Sequence, residues 1–92
     1  MVSGKRFESR EGRSKIDLAF NRDGSLEADV LGLGEFTGLW WVDPAGRLCL
    51  VGSYWAGGAC FEALIDSEGR LIGVREAGGS ATISITAKGA AR

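Results

Sequence analysis

The segment that decides the fold is residues 35–66, EFTGLWWVDPAGRLCLVGSYWAGGACFEALID, which contains all three tryptophans, the only tyrosine, the only proline and both cysteines. Within it, Asp43-Pro44-Ala45-Gly46 is a strong turn sequence. Proline pre-sets φ at the second turn position, and glycine can adopt the left-handed conformation that closes the turn. The flanking segments 39–42 and 47–51 are rich in aromatic and β-branched residues. This pattern predicts a β-hairpin with Val42 opposite Arg47.

Both faces of this predicted hairpin are apolar. We expect the face with Leu39, Trp41, Leu48 and Leu50 to point into the core, and the face with Trp40, Val42, Cys49 and Val51 to point outward. A contiguous outer apolar patch usually marks a contact surface, and tryptophan often dominates binding energy there. The predicted contact surface is Trp40, Val42, Val51, Tyr54, Trp55, Leu64 and Leu71. We expect a second copy or a partner to cover it; alternatively, the first strand or the loop around Tyr54 folds over it.

Further hairpins are predicted on both sides of the central one. Across the turn at residues 21–25, Phe20 is expected opposite Leu26, because this register gathers the apolar residues of both strands on one face. Later in the chain, Ile65 is expected opposite Arg70, Phe61 opposite Val74, and Val74 opposite Ile83. Turn sequences recur at regular spacing and no helical period of useful length appears, which is typical of an all-β meander.

These hairpins predict a single all-β domain over residues 1–92, an antiparallel up-and-down meander of about seven or eight strands. Curling this sheet into a small, closed or nearly closed barrel would bury its apolar face and remove its edges. The alternative is an open sheet that pairs with a second copy as a homodimer. Residues 1–4 and 89–92 are expected to be disordered. The predicted core is Leu18, Phe20, Leu26, Leu39, Trp41, Leu48, Leu50, Phe61, Ile65, Ile72, Val74, Ile83 and Ile85.

Cys49 and Cys60 are candidates for a disulfide. If they pair directly across their hairpin, Leu48 and Phe61 share the core face, so the register agrees with the hydrophobic pattern. The bond would close a loop of about a dozen residues and would imply an oxidising compartment. The alternative is a pair of buried thiols that behave as small apolar residues.

Residues 53–58 are predicted to form a loop that carries two large aromatic side chains, Tyr54 and Trp55. On such a loop, aromatic residues can be binding anchors. They can equally fold back as a plug over one end of the barrel, and the sequence leaves both interpretations open.

The composition argues against an enzyme. The chain has no histidine, which removes the commonest general base, the commonest metal ligand and any Ser-His-Asp arrangement. Two cysteines do not complete a zinc site, and Asp23-Gly24 and residues 66–69 fit turns better than calcium loops. Glu35 and Glu62 are expected on outer positions, where no environment would raise their pKa. We therefore predict no catalytic residues, no metal and no cofactor.

The charge pattern and hydropathy bear on partners and location. Through Arg22 the chain has six basic and three acidic residues. Because the acids interleave with the bases, we expect a solvated first strand and no nucleic-acid site. No apolar run approaches the ~20 residues of a membrane span, so no membrane insertion is expected. The N-terminal residues lack the apolar segment of a signal peptide, which leaves a cytosolic chain or one without its leader.

Four motifs carry a resemblance to a known group of proteins. They are residues 20–24 (FNRDG), 34–43 (GEFTGLWWVD), 46–49 (GRLC) and 60–61 (CF). With these motifs the chain resembles small secreted β-domains of proteobacteria, many of unknown function. It is more distantly similar to the eight-stranded barrel inhibitors of bacterial alkaline metalloproteases, in which an N-terminal segment enters the protease cleft. The resemblance implies a periplasmic or otherwise extracytoplasmic location and a binding or structural role, and it supplies no catalytic residues.

The sequence therefore predicts a non-catalytic extracytoplasmic module that acts through protein–protein contact, including self-association. A carrier of a small apolar ligand with a lipocalin-like cavity is the first alternative. Protease inhibition is the second, although residues 1–5 are short and basic. A side-chain-filled barrel would favour protein contact, whereas an open pocket lined by Trp41 and Tyr54 would favour an apolar ligand.

Overall fold

The computed structural model describes residues 2–11, 13–76, 78–79 and 82–91, but not the side chain of Glu11. It is an all-β antiparallel barrel in which each strand pairs with the next and the last returns to the first. The predicted closed up-and-down barrel is thus confirmed. No helix within the described residues is long and apolar enough to cross a membrane. The strands are β1 (Lys5–Glu11), β2 (Ser14–Phe20), β3 (Ser25–Val30), β4 (Gly34–Val42), β5 (Leu48–Gly52), β6 (Ala59–Ile65), β7 (Leu71–Glu76) and β8 (Thr82–Ala90).

Three hairpins at one end of the barrel use the same five-residue turn, at residues 21–25, 43–47 and 66–70. In each turn, the N–H of the first residue donates to the carbonyl of the fifth, and the N–H of the fourth donates to the carbonyl of the first. The fourth residue is a glycine with positive φ in all three turns, a conformation that glycine adopts without steric cost. The first and fifth residues therefore lie opposite each other, with three residues between them.

An aspartate at the first position reinforces two of these turns. One carboxylate oxygen of Asp43 accepts two backbone N–H groups, and the other accepts Arg47 Nε at 2.6 Å. Asp66 repeats the arrangement with Arg70, whose Nε lies at 2.8 Å. The backbone N–H of Arg47 is the main cause that holds the pKa of Asp43 below its ordinary value, and the N–H of Arg70 does the same for Asp66.

The predicted pairing of Phe20 with Leu26 is confirmed, but the predicted pairing of Val42 with Arg47 is wrong. Val42 lies opposite Leu48, because the turn places Asp43 opposite Arg47. A one-residue change of register moves every side chain of a strand to the other face.

The change of register exchanges the two neighbouring tryptophans of β4. Trp40 lies opposite Leu50 and packs against the core, whereas Trp41 lies opposite Cys49 and is 44% exposed. Leu39 is exposed as well. The prediction of Leu39 and Trp41 as core residues is therefore wrong.

A β-bulge changes the alternation along β7. Ile65 lies opposite Leu71 and Leu64 lies opposite Gly73, so Ile72 is an extra residue without a partner. A bulge of this kind reverses which side chains point inward beyond it. Leu71 is consequently buried and Ile72 is 49% exposed, so the prediction that Ile72 lies in the core is wrong.

Two other predictions for this hairpin also fail. Ile65 lies beside the turn, where it is exposed instead of lying in the core. Phe61 pairs with Glu76, while Val74 pairs with Ala63, so the predicted pairing of Phe61 with Val74 is two residues out of register. The shift is even, so Phe61 and Val74 still pack against the core. On the next ladder, the predicted pairing of Val74 with Ile83 is confirmed.

Side chains fill the barrel interior as one apolar cluster. Several predicted members are confirmed as buried or packed against it: Leu18, Phe20, Leu26, Leu48, Leu50, Phe61, Val74 and Ile85. The sequence did not identify Val2, Phe7 or Leu71, which are buried. The sequence predicts disorder for residues 1–4 and 89–92, and the described residues among them contact one another: Val2 is 2% exposed, and the N–H of Ala91 donates to the carbonyl of Gly4 at 2.9 Å.

β4 and β5 approach each other unusually closely where Gly38 lies opposite Gly52. A Cβ atom at Gly38 would meet the carbonyl oxygen of Val51 without room, and one at Gly52 would lie 2.6 Å from the carbonyl oxygen of Thr37. Only a pair of glycines allows this approach, which is one way in which a strongly curved small barrel closes.

Candidate functional site

A disulfide joins Cys49 and Cys60 on the outside of the barrel, as predicted. The two residues are direct cross-strand partners, with an S–S distance of 2.08 Å. Trp41 is the partner of Cys49 on the other side, so three adjacent strands meet at the cystine. Cys49 is 1% exposed although it lies on the outer face.

The carboxylate of Asp43 lies close to this cystine. One of its oxygens and the two sulfur atoms lie within 4.8 Å of one another. The sulfur atoms are bonded to each other and the carboxylate is hydrogen-bonded within its turn to Arg47. While the disulfide is intact, a metal ion at these three residues would find one carboxylate ligand, and that carboxylate is already hydrogen-bonded to Arg47.

An exposed apolar surface lies beside the cystine on the outer wall. We call it the β4 surface and define it as Leu39, Trp41 and Val51. Leu39 and Trp41 alternate along β4 and are 58% and 44% exposed, and Val51 lies opposite Leu39 on β5. Val42, which is 52% exposed at the end of β4, pairs with Leu48 and lies on the opposite face of the strand.

The seven residues of the predicted contact surface do not form one surface. Trp40 lies inside the barrel, where its ring meets Phe20 edge-on at a centroid distance of 5.8 Å. Leu71 is buried in the core by the bulge. Leu64 approaches Gly73, lying 3.5 Å from the position of a Cβ atom there. Of the remaining four, Val51 belongs to the β4 surface, whereas Val42 lies on the same face of β4 as Trp40.

The loop with Tyr54 and Trp55 folds back onto the barrel. Trp55 packs against the core cluster, as expected of a plug. Tyr54 contacts both Trp55 and Phe36, with ring centroids 4.9 Å and 5.1 Å away, and remains 38% exposed. Trp55 therefore has a structural role, and Tyr54 is the more exposed of the two rings.

A row of four carboxylates crosses the outer wall from β1 to β4. Glu8, Asp17, Asp29 and Glu35 are successive cross-strand partners. Like charges that lie directly opposite each other destabilise a sheet. A groove of about 410 Å³ runs along this wall, lined by Asp17, Asp29 and Glu35 among others. The alternation of β2 and β3 placed Asp17 and Asp29 outside, but their alignment with Glu8 and Glu35 depends on registers that the sequence did not predict.

Within the part of the chain that the structure describes, Glu8 is the member of the row that several cations neutralise. Glu8 forms ion pairs with Arg10, Lys15 and Lys88, at 3.3, 3.3 and 3.5 Å. Burial acts to raise the pKa of Glu8, but the hydrogen bonds from Lys15 and Arg10 and the charge of Lys88 outweigh it and lower the pKa. The negative charge of the wall therefore concentrates on β3 and β4.

The geometry defines the class of protein: a small, disulfide-linked, eight-stranded up-and-down barrel with a filled interior and an apolar surface on its outer wall. No protein-family model matches the chain, and comparisons with curated proteins and with solved structures find no match either.

Proposed function

We propose that the protein is a non-catalytic, extracytoplasmic module that acts through protein–protein contact at the β4 surface. The observation that carries this proposal is the pair Leu39 and Trp41, two large apolar side chains exposed next to each other on the outer wall. Single exposed apolar residues are ordinary on soluble proteins, but a contiguous group centred on a tryptophan is typical of a contact surface.

The cystine supports a binding role because it stiffens the wall beneath Trp41. Cys49 is the cross-strand partner of Trp41 and is bonded to Cys60 on the next strand. A preorganised surface loses less conformational freedom on association than a mobile one, so more of the contact energy appears as affinity. The disulfide also supports an extracytoplasmic location, where such bonds persist.

The two alternative functions receive less support. A lipocalin-like carrier needs an interior cavity, whereas the interior is packed around Phe20 and Leu26. A protease inhibitor of the kind described above needs a projecting N-terminal segment. Here Val2 is buried and the N–H of Gly4 donates to the carbonyl of Phe20 at 2.7 Å, so residues 2–4 lie against the barrel.

Self-association is the form of contact to test first. Sedimentation equilibrium over a wide concentration range should show a monomer–dimer equilibrium for the wild-type protein and a loss of dimer for Trp41→Glu. Leu33→Glu is the matched control, because Leu33 is 66% exposed but lies in a turn outside the β4 surface. Circular dichroism of both variants should show that the barrel is intact.

Binding to a different protein, instead of to a second copy, would give different results in these experiments. The wild-type protein would remain monomeric, while immobilised wild-type protein and Leu33→Glu would retain an envelope protein that Trp41→Glu does not retain. Monomeric protein together with equal retention by Trp41→Glu and Leu33→Glu would contradict the proposal in both forms.

A further inference from the structure

β7 and β8 separate at the end of the barrel that carries the three similar turns. Between described residues their ladder has three pairs, and towards this end it stops where Gly73 lies opposite Ser84. Beyond Gly73, no described residue at the start of β7 pairs with β8. A groove of about 560 Å³ lies at this opening, and we call it the seam groove.

Two irregularities flank the seam groove. The register of the β6–β7 ladder shifts between Leu64 and Ile65, and that of the β1–β8 ladder shifts between Arg6 and Phe7. These are the two register shifts found in the ladders of the described residues, and they lie on either side of the same opening. β-Bulges are enriched at barrel rims and beside functional sites, where they redirect side chains or end a pairing.

The seam groove is apolar at its base. Phe7, Leu71 and Ile85 line it and belong to the core, with exposures of 3%, 8% and 9%. Ile72, the unpaired residue of the bulge, also lines it and is 49% exposed. The volume falls within the ~300–1,000 Å³ of small-molecule sites, which are typically apolar with a few polar groups at the edge.

Among the charged groups at the rim of the seam groove, one cation can pair with a ligand. Asp66 is engaged with the backbone of its own turn and with Arg70. Arg70 also forms an ion pair with Glu68 at 2.8 Å. Lys5 lines the seam groove, is exposed and forms no ion pair with any described residue. A ligand that fits this arrangement has an apolar tail and a single negative charge.

From this arrangement we infer that the seam groove binds a single-chain amphipathic carboxylate of the fatty-acid class. The alkyl chain lies against Ile72 and Leu71, and the carboxylate accepts a charge-assisted hydrogen bond from Lys5. The seam groove is formed by β1, β7 and β8, so it does not share strands with the β4 surface, and the inference does not depend on the proposed function.

Isothermal titration with dodecanoate, kept below its micelle concentration, tests the inference on the intact protein. Saturable binding with one ligand per chain is expected. Lys5→Gln should weaken it about five-fold or more, because a hydrogen bond to a charged group is lost. Ile72→Ser should weaken it about ten-fold, because the apolar contact of one side chain is lost. Both positions are exposed, so both variants should fold.

Each variant has a matched control outside the seam groove. Lys88→Gln removes another lysine near β1, and Ile65→Ser removes another exposed isoleucine beside the same turn; neither residue lines the groove. Both controls should bind dodecanoate as the wild-type protein does. Amide shifts on titration should concentrate at Leu71, Ile72 and Ile85.

Three results would overturn the inference. The first is the absence of saturable dodecanoate binding. The second is equal weakening by the control variants, or amide shifts centred elsewhere. The third is equally tight binding of dodecyltrimethylammonium, which has the same tail with a positive head, because it would show that Lys5 does not select the ligand.

Discussion

The indole nitrogen of Trp40 donates a hydrogen bond to the main-chain oxygen of Asn21 at 2.8 Å, which joins β4 to the turn between β2 and β3 from inside the barrel. Asn21 is itself buried, and its amide donates to Ser25 Oγ and to Glu27 Oε1, both at 2.9 Å. Because these buried polar groups are hydrogen-bonded, the bonds offset the cost of removing them from water.

The two neighbouring tryptophans should therefore differ in their contribution to stability. Trp40→Ala should lower the free energy of unfolding by about 3–5 kcal/mol, because it leaves a cavity against Phe20 and removes the hydrogen bond from the indole nitrogen to the Asn21 carbonyl. Trp41→Ala should cost about 1 kcal/mol or less, because its ring is substantially exposed. Urea unfolding of the two variants measures the difference, and the reverse order would contradict the register of β4 and β5.

The contact between Gly38 and Gly52 should not tolerate a methyl group. Gly38→Ala is expected to cost about 1–3 kcal/mol or more, because the added Cβ collides with the backbone of Val51, which cannot move alone. Gly79→Ala is the control: a Cβ there lies 3.3 Å from its nearest neighbouring atom. Thermal unfolding should separate the two variants clearly, and similar midpoints would argue against the close approach of the strands.

Removing the disulfide should destabilise the fold by about 2–3 kcal/mol, since the bond closes a loop of about a dozen residues in the unfolded chain. The variant with Cys49→Ala and Cys60→Ala should match the wild-type protein after reduction by a phosphine. Thiol titration of the denatured, unreduced wild-type protein should find no free thiol. Two titratable thiols would contradict the bond.

Stability should fall in acid through the aspartates of the turns. The pKa values of Asp43 and Asp66 are lowered in the folded state, chiefly by the backbone N–H groups of Arg47 and Arg70. The stability that these two carboxylates contribute is fully present above their pKa in the unfolded chain, about 4. It is lost as the pH falls through their lower pKa in the folded protein. Asp66→Asn should therefore reduce the difference in urea midpoint between neutral and acidic pH.

The carboxylate row should make Asp29→Asn stabilising. Asp29 lies between Asp17 and Glu35, so removing its charge relieves repulsion on both sides, worth about 0.2–1 kcal/mol. The gain should be largest at low ionic strength, because salt screens exposed charges. A destabilised variant, or a gain independent of salt, would show that the repulsion is not the cause.

Hydrophobic alternation was sufficient to predict the barrel and the register of the first hairpin. It did not determine which side chains of the later hairpins point into the core. The turn at residues 21–25 was predicted with Phe20 opposite Leu26, which leaves five residues between the paired positions. The turns at 43–47 and 66–70 repeat its glycine at the fourth position. Applying the same length to them would have placed Val42 opposite Leu48 and exposed Trp41. The signal was present in the sequence, but both faces of this hairpin are apolar, so the pattern did not select between registers.

Other features had no local signal. The five-residue turn places Leu71 opposite Ile65, but the bulge at Ile72 follows from how β7 fits between β6 and β8, and no neighbouring residue signals it. The cystine was predictable because Cys49 and Cys60 must share a face when their strands pair in the core register. The seam groove was not predictable, because it depends on where a ladder of distant strands ends.

The pairing of β1 with β8 has a consequence for how the chain reaches its native state. These strands are the most distant in sequence, and their contact closes the barrel. Seven hairpin steps can form from local contacts, but the closing step requires the loop-closure entropy of nearly the whole chain. Until β8 arrives, β1 and β7 each present an open edge to other molecules. Folding should therefore be slow relative to helical proteins of this size, and the partly closed intermediate should be the species most prone to aggregation.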